Sequence, residues 1–296
     1  MMKYGLHFVT WLQYYNPDDL QAFFQQARQA DAQAVELRIP TEVLLGDRNK
    51  AGEIRKMAED AGLELVCSHG YPEGVDMCSP DALVREYAIE HLKRTVEAAY
   101  HVGANEIGGV LYTRWPANYA GDMITPQVKR ERVQRSIDSI CRVMPVAEDY
   151  GIQLDMEVIN RFEGYIMNTV AEGLDYIRQV GSSHCGLVLD TFHMNIEEED
   201  MVQAIISAKG HIGKIHAVEN NRNVPHHNAS IPWQKVGAAL RDIGYAGAVI
   251  IESSLLHEEM YSYNFRLWRD LLPDHALAAR LNALKNGIHF LQKQFE

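Results

Sequence analysis

Acidic residues recur in this sequence at the ends of short apolar runs, an unexpected place for a charge. Glu157 follows "IQLDM", and Glu163 lies further along the chain, beyond Arg161. A carboxylate that is buried without a partner is costly, so these acids need compensation. Two interpretations are open. Glu163 could pair with Arg161 and stabilise a loop, or the segment could form a site for metal binding or proton transfer.

Each of three further apolar runs contains or ends in a potential metal ligand. Asp190 ends "LVLD", His216 lies in "GKIHAVE" and Glu252 ends "VIIE". Three carboxylates in one place repel one another strongly unless a cation lies among them. Oxygen-rich ligation with one imidazole favours Mn²⁺, Mg²⁺ or Co²⁺. Alone, a strand-end Asp is commonly a helix cap and a lone His a core residue, but the combination favours a metal site.

Short β-rich runs alternate with helical patterns along the whole chain. About eight strand–helix units are recognisable, from "YGLHFVTW" to the helical pattern "ALAARLNALKNGIHFLQKQ". Eight units close a (β/α)8 barrel, for which 296 residues suffice. We therefore predict an α/β protein with one (β/α)8 TIM barrel domain over residues 1–296. An open doubly wound sheet is the alternative, weakened because no GxGxxG stands at a strand–helix junction.

The helical patterns also predict where individual helices end. Five glycines follow such patterns, as glycines at helix C-termini do: Gly62, Gly103, Gly151, Gly181 and Gly247. Between Lys129 and Gly151 the pattern predicts one uninterrupted helix.

In a barrel of this type, the carboxyl ends of all strands meet at one face, where active sites lie. Strands five to eight would bring together Glu157, Asp190, His216 and Glu252. Three more polar residues follow within a few positions, and we expect them on loops above the metal: Glu163, His193 and Arg222. The guanidinium of Arg222 suits an oxygen that carries developing negative charge.

The composition narrows the range of partners. A net charge of −12 disfavours nucleic acid, whose phosphates require a basic surface. The four cysteines are scattered without a CxxC pair, which is typical of a reducing, cytoplasmic setting. No stretch approaches the roughly 20 apolar residues of a membrane span. We therefore expect a cytoplasmic protein that binds small molecules and neither nucleic acid nor membrane.

The sequence resembles the D-tagatose/D-psicose 3-epimerase family, whose members are metal-dependent barrels related to xylose isomerase. The matching stretches are "MEVINRFEGYIMNT", "LDTFHMNIEE", "HAVENNRNVP" followed by "IPW", and the segment from "DMCSPDALVREY" to "LYTRWP". They cover most of the chain in order. The first two are specific and are not expected together by chance.

The resemblance implies roles for individual residues. A divalent metal ion, Mn²⁺ first with Mg²⁺ or Co²⁺ as alternatives, would be held by Glu157, Asp190, His216 and Glu252. The substrate would be contacted by Glu163, His193, Arg222 and Trp115. Glu219 matches an acid of the family without a clear role. The resemblance also implies a homodimer or homotetramer.

The reaction implied by the resemblance is C3 epimerisation of a ketose, and we expect an unphosphorylated one because the sequence shows no phosphate cradle. A ketose that chelates the metal through O2 and O3 has a polarised carbonyl, so its C3 proton becomes acidic. Glu157 or Glu252 would remove that proton to give a cis-enediolate, and the other would return a proton to the opposite face. Each such acid or base contributes about 10²- to 10⁴-fold. Arg222 would stabilise the charge on O2.

The loops after the last two strands depart from the family pattern. Val218 stands where a glycine is usual, His226 and His227 lie in a loop one residue longer, and "ESSLLH" replaces the usual "EPF". These changes concern the substrate rather than the metal, and the two loop histidines could contact an unusual sugar. Three ring side chains of the early strands are also expected at the mouth: His7, Trp11 and His69.

Other functions stay open. The protein could be an epimerase or isomerase of a 3-keto sugar or glycoside, or an aldose–ketose isomerase, which would be recognised by an aldose product. An endonuclease IV-like repair barrel would need a multinuclear zinc site and a basic groove, which the sequence does not indicate. A non-catalytic sugar-binding barrel would be favoured by loss of a metal ligand, and all four are present.

Overall fold

Eight parallel strands form a closed barrel in chain order. The computed structural model describes residues 1–11, 20–117, 123–228, 230–257 and 266–296. Each strand pairs with its neighbours in sequence, and the first pairs with the last. The strands are β1 (Lys3–His7), β2 (Ala34–Arg38), β3 (Glu64–Ser68), β4 (Glu106–Gly109), β5 (Gln153–Val158), β6 (Cys185–Asp190), β7 (Ile212–Ala217) and β8 (Ala248–Ile251). The predicted (β/α)8 barrel is confirmed, and the open-sheet alternative is wrong.

Helices connect the strands and pack against them and against one another. A 3₁₀ turn over Phe8–Trp11 follows β1. Within the described residues, the helices are α1 (Gln21–Gln29), α2 (Thr41–Leu44), α3 (Arg48–Ala61), α4 (Ala82–Val102), α5 (Pro126–Cys141), α6 (Met144–Tyr150), α7 (Val170–Val180), α8 (Thr191–Glu197), α9 (Met201–Ser207), α10 (Trp233–Asp242) and α11 (Leu277–Phe295). None of these helices has the length and apolar composition needed to cross a membrane.

Most of the predicted helix ends are correct. Four of the five glycines cap their helices in the left-handed conformation: Gly62, Gly103, Gly151 and Gly181. The prediction for Gly247 was wrong. The chain leaves α10 through Gly244, which has a φ of +73°. Gly247 lies directly before β8, where a Cβ would come within 2.6 Å of the Gly213 carbonyl oxygen.

The single helix predicted from Lys129 to Gly151 was also wrong, because the segment forms two helices. The first begins at Pro126 and ends at Cys141, and the second begins at Met144. Pro145 has no backbone N–H to continue the first helix, and its ring disfavours helical geometry in the preceding residues. A proline is instead well tolerated in the first turn of a new helix, which is where this one lies.

The barrel interior contains charged side chains as well as apolar ones. Glu36 of β2, Asp155 of β5 and Lys214 of β7 have no exposed surface. Room for Lys214 is made on β4, where residue 108 is a glycine. A Cβ on Gly108 would lie 2.4 Å from Cε of Lys214 and 2.8 Å from Cγ2 of Val188. A side chain at this position would therefore overpack the interior.

We expect Gly108→Ala to destabilise the protein by about 1–3 kcal/mol, because the added methyl group displaces Lys214 or Val188. The matched control is Gly52→Ala in α3, where the added methyl group would meet no neighbouring group within 4 Å. That change should stabilise the helix by about 0.5–1 kcal/mol. Urea unfolding followed by circular dichroism measures both, and equal unfolding midpoints for the two variants would contradict the expectation.

Candidate active site

The four predicted metal ligands come together at the carboxyl end of the barrel. Each offers one ligand atom, and these atoms all lie within 4.8 Å of one another: Glu157, Asp190, His216 and Glu252. All four side chains are buried. The four residues lie on or directly after neighbouring strands. Asp190 of β6 and His216 of β7 are paired in register, and Glu252 comes directly after β8. The cluster could hold a metal ion, and the assignment of the four as ligands stays a prediction.

The two carboxylate oxygens of Asp190 have different partners. One oxygen accepts a hydrogen bond of 2.7 Å from the backbone N–H of Phe192, which caps α8. The other oxygen lies 3.4 Å from the guanidinium of Arg222, on the side of the cluster. The helix-cap and metal-site interpretations of this residue are therefore compatible.

The orientation of His216 fits a metal ion. Its Nε2 lies 2.8 Å from Oε2 of Glu36, and its Nδ1 lies 3.5 Å from Glu157 and 3.4 Å from Glu252. This Nδ1 is buried and has no hydrogen-bond partner among the described residues. When Nε2–H donates to Glu36, the Nδ1 lone pair faces two carboxylates, an arrangement that a divalent cation stabilises. A carboxylate behind a ligating histidine is a common feature of metal sites.

Without a metal, His216 supplies the compensating charge itself. Burial lowers the pKa of this imidazole, but Glu36 and Glu252 outweigh burial and hold its pKa well above the usual value. Burial raises the pKa of Asp190 to about 6, against the opposing effect of His193. A metal ion must therefore displace protons from the cluster in order to bind.

The two glutamates of the cluster have opposite pKa shifts. Burial raises the pKa of Glu157, and His216 only partly opposes it. Burial also acts on Glu252, but His216, His7 and Arg222 outweigh it and hold its pKa well below the usual value. Glu157 therefore retains a proton more readily than Glu252, and such asymmetry is typical of a proton-transfer pair.

Arg222 bridges the carboxylates on the solvent side of the cluster. Its guanidinium lies 3.2 Å from Glu252 and 3.5 Å from Glu163, and it stacks 3.9 Å over the ring of Phe192. The residue is almost fully buried. Its φ of +68° is unusual for a side-chain-bearing residue, and its carbonyl accepts a bond from the N–H of Ser254. The backbone is thus held so that the guanidinium enters the site.

Glu163 faces the cavity and does not pair with Arg161, so the loop ion pair between them was a wrong interpretation. Its carboxylate accepts hydrogen bonds from Nε1 of Trp115 at 2.9 Å and from the side chain of Asn160 at 3.0 Å. Arg161 turns away and pairs with Glu197. Burial acts to raise the pKa of Glu163, but the charges of His193 and Arg222 and the hydrogen bonds from Trp115 and Asn160 outweigh burial and hold this pKa below its usual value.

His193 lies in the first turn of α8, whereas we expected it on a loop. The reason is that Asp190 caps this helix directly at the end of β6, which leaves no room for a loop. Nδ1 of His193 accepts the backbone N–H of Asn160 at 3.2 Å, so a neutral ring carries its proton on Nε2. That nitrogen lies 3.6 Å from Asp190 and 3.8 Å from Glu157, and it is placed to donate to a ligand.

A cavity of about 260 Å³ adjoins the cluster. The cavity is lined by residues of the cluster and by residues that contact it: Glu157, Glu163, His193, Arg222 and Glu252. Side chains of the early strands, of the segments that follow them and of the loop after β4 also line the cavity: His7, Phe8, Arg38, Ser68, His69, Tyr71 and Trp115. His7 and His69 therefore lie at the mouth, as predicted, and the contact of Trp115 with a substrate stays a prediction. The side chain of Trp11 lies outside the described residues.

The loop after β7 differs from the prediction. His226 and His227 line a separate shallow cleft, and the ring of His227 packs 4.7 Å from that of Phe290. Neither histidine lines the cavity beside the cluster, so the idea that they contact a sugar there is wrong. Glu219 is buried and accepts a hydrogen bond of 2.6 Å from Nε1 of Trp233, which ties the loop to α10.

Sequence reasoning missed Glu36, Asn160 and Lys214. Glu36 and Lys214 could have been recognised from the sequence, because a charged residue in the middle of a buried strand requires a partner inside the barrel. Lys214 also has the same side-chain direction as His216, two residues on along β7. The partner of each could not be identified, since Glu36 and His216 are 180 positions apart.

Comparison with known proteins places the chain in a family. The model of the xylose isomerase-like TIM barrel family matches residues 24–271. A D-psicose 3-epimerase of Enterocloster bolteae is 31% identical over 99% of this chain and 96% of its own length. An L-ribulose 3-epimerase of Mesorhizobium japonicum is 31% identical over 95% of this chain and 91% of its own length. The crystal structure of D-psicose 3-epimerase with D-tagatose from Clostridium cellulolyticum H10 superposes with a TM-score of 0.93, at 30% identity and full coverage of both chains.

The chain therefore belongs to the xylose isomerase-like TIM barrel family, in the group of the ketose 3-epimerases, as the sequence resemblance indicated.

We expect Mn²⁺ affinity to rise with pH, because the metal displaces the proton of His216, whose pKa lies well above its usual value. The dissociation constant should fall as the pH rises, by about tenfold per pH unit for each proton that the metal displaces, and more steeply below the pKa of Asp190 at about 6. Calorimetric titration at several pH values measures this. His211→Asn, outside the cluster, should keep the slope, and a pH-independent constant would contradict the expectation.

Proposed function

We propose that this protein is a metal-dependent epimerase that inverts C3 of an unphosphorylated ketose. The observation that carries the proposal is a pair of buried glutamates, Glu157 and Glu252, in one cluster beside a cavity of monosaccharide size. They come from β5 and from the end of β8, on either side of β6 and β7. Inversion of a carbon centre requires an acid and a base on opposite faces, which two separate carboxylates provide. The names of the relatives support the same reaction.

The metal would be held by the four clustered residues, and we propose Mn²⁺ with Mg²⁺ or Co²⁺ as alternatives. Three carboxylates and one imidazole are the donor set that such ions accept. When bound, the ion polarises the substrate carbonyl and so makes the neighbouring C–H more acidic.

Glu157 and Glu252 would transfer the proton at C3. One carboxylate takes the proton from one face of the ketose, which gives a cis-enediolate, and the other returns a proton to the opposite face. His193 stands beside Glu157 at 3.8 Å, and His7 stands beside Glu252 at the same distance. Each glutamate therefore has its own neighbouring imidazole.

Three residues would bind the oxygens next to the reacting carbon. Arg222 is the cation nearest to Glu252 on the solvent side, and it would stabilise negative charge that develops on O2. Nε2 of His193 and the carboxylate of Glu163 offer a donor and an acceptor for hydroxyl groups. Because Glu163 is fixed by Trp115 and Asn160, it is already oriented before the sugar enters.

The remaining carbons of the sugar would lie against the other residues that line the cavity. Trp115 and Phe8 provide apolar ring surfaces among them. Arg38 and His69 add polar groups, which favours a substrate with further hydroxyl groups.

The cellular setting is part of the same proposal. We infer a single-domain protein of the cytoplasm, since Cys67, Cys78, Cys141 and Cys185 are all unpaired. The family resemblance supports a homodimer or homotetramer. A net charge of −12 accords with a small-molecule enzyme rather than a nucleic-acid-binding protein.

The reaction is tested by NMR in D2O with D-fructose, D-tagatose and L-ribulose and protein loaded with diamagnetic Mg²⁺. We expect deuterium at C3 together with the epimeric ketose, because the proton that returns comes from an exchanged carboxyl group. Formation of an aldose would identify an aldose–ketose isomerase instead. If no carbon of any ketose exchanges, the proposal is wrong, and 3-keto sugars and glycosides are the next substrates to assay.

The roles of the two glutamates are tested by Glu157→Gln and Glu252→Gln. Each change should slow epimerisation about 10²- to 10⁴-fold. Each variant should still exchange the C3 proton of one epimer, the one whose proton faces the remaining carboxylate. Bound metal is quantified in parallel, so that metal loss is recognised. Glu59→Gln, on the exposed face of α3, is the control. Identical exchange of both epimers by both metal-loaded variants would refute the assignment.

A further inference from the structure

A buried lysine lies directly beneath the candidate metal centre, on the interior side of the barrel. Nζ of Lys214 lies 2.6 Å from Oε1 of Glu36, 3.2 Å from Oε1 of Glu106 and 3.2 Å from the carbonyl oxygen of Cys67. The ammonium donates a hydrogen bond to the Cys67 carbonyl and forms ion pairs with the two carboxylates. No part of the Lys214 side chain is exposed.

Glu36 connects this lysine to the candidate metal centre. Its Oε1 contacts Lys214, and its Oε2 lies 2.8 Å from Nε2 of His216. An ion pair at one oxygen and a hydrogen-bonded imidazole at the other restrict the rotation of this carboxylate. The position of the lysine therefore determines the position of Glu36, and Glu36 determines the direction in which Nδ1 of His216 points.

The same neighbourhood contains a second group of potential metal ligands. His7, Glu36 and His216 each offer an atom within 4.8 Å of the others, so this group could hold a cation of its own. The ammonium of Lys214 already places a positive charge against Glu36. A divalent ion at this point would be repelled by that charge and would compete for the same carboxylate.

We propose that Lys214 is a positioning residue for the metal centre. Its ammonium takes the place of a second cation, holds Glu36 against His216, and thereby keeps the centre mononuclear with Nδ1 of His216 directed at the metal. The inference rests on the proposed metal centre. It does not require that the substrate be a ketose.

The fold is built to accommodate this lysine rather than merely tolerating it. A Cβ on Gly108 would lie 2.6 Å from Nζ of Lys214, so β4, which is not paired with β7, provides the space from across the barrel. Lys214 and His216 alternate with Ile215 along β7, which places both side chains in the interior, one layer apart. Because desolvation offsets much of the attraction within a buried salt bridge, this one contributes little net stability, which accords with a positioning role.

The test is Mn²⁺ binding to metal-free protein, measured by calorimetry and by electron paramagnetic resonance. The wild-type chain should take up one Mn²⁺. Lys214→Met, which keeps the length and removes the charge, should weaken that binding about 10- to 100-fold, as loss of a residue behind a metal ligand does. Lys209→Met, an exposed lysine before β7, is the matched control and should leave the affinity unchanged.

A double-mutant cycle separates positioning from general stability. Glu36→Gln should weaken binding to a similar extent, and Lys214→Met should add little in the Glu36→Gln background, because the lysine acts through that carboxylate. Additive effects would overturn the proposal. So would two bound Mn²⁺ in the wild type, or an unchanged affinity in Lys214→Met.

Three further outcomes are distinguished by these measurements. If Lys214→Met fails to fold, an unchanged affinity in Glu36→Gln still overturns the proposal. If the wild-type chain binds no Mn²⁺, the metal centre itself is wrong. Normal metal binding without turnover of any ketose refutes only the proposed reaction, and the role of Lys214 is then judged from the binding data alone.

Discussion

Repulsion among carboxylates that are buried together at the mouth of the barrel governs how the rest of the site is arranged. The carboxylates come from three different strands: Glu157, Asp190 and Glu252. Desolvation makes each costly unless positive charge lies within reach. The protein supplies that charge from two directions, since Arg222 approaches from the solvent side and Lys214 compensates Glu36 from the interior. Between them, His216 presents a buried nitrogen with no hydrogen-bond partner among the described residues, which is where a metal ion would complete the balance.

The same balance gives the two glutamates different pKa shifts in the metal-free protein, since burial raises the pKa of Glu157 while His216, His7 and Arg222 lower that of Glu252. Arg222 and Glu163 face the same cavity and are themselves held in place, the first by its backbone and the second by Trp115. A ligand would therefore meet groups that are already oriented, and little reorganisation would be required at the moment of proton transfer.

Structural features that depend on a short stretch of sequence were predicted well, and features that depend on packing were not. The eight strands and four of the five capping glycines follow from local alternation and from glycine's access to positive φ. The long helix was wrong because a favourable helical pattern around Pro145 concealed the missing N–H. His193 was placed on a loop because nothing local indicated that Asp190 would begin the next helix at once.

The sequence by itself determined the barrel, the four strand-end residues that meet in the site, and the resemblance to sugar epimerases. Side-chain alternation identifies the strands. The parallel arrangement of strands in a barrel then places all their carboxyl ends at one face. Only the tertiary structure decided which groups compensate the buried charges. Glu36 meets His216 across 180 positions, and Lys214 meets Cys67 across 147. Alternation shows that these side chains point inward, but the distance across a closed barrel selects their partners.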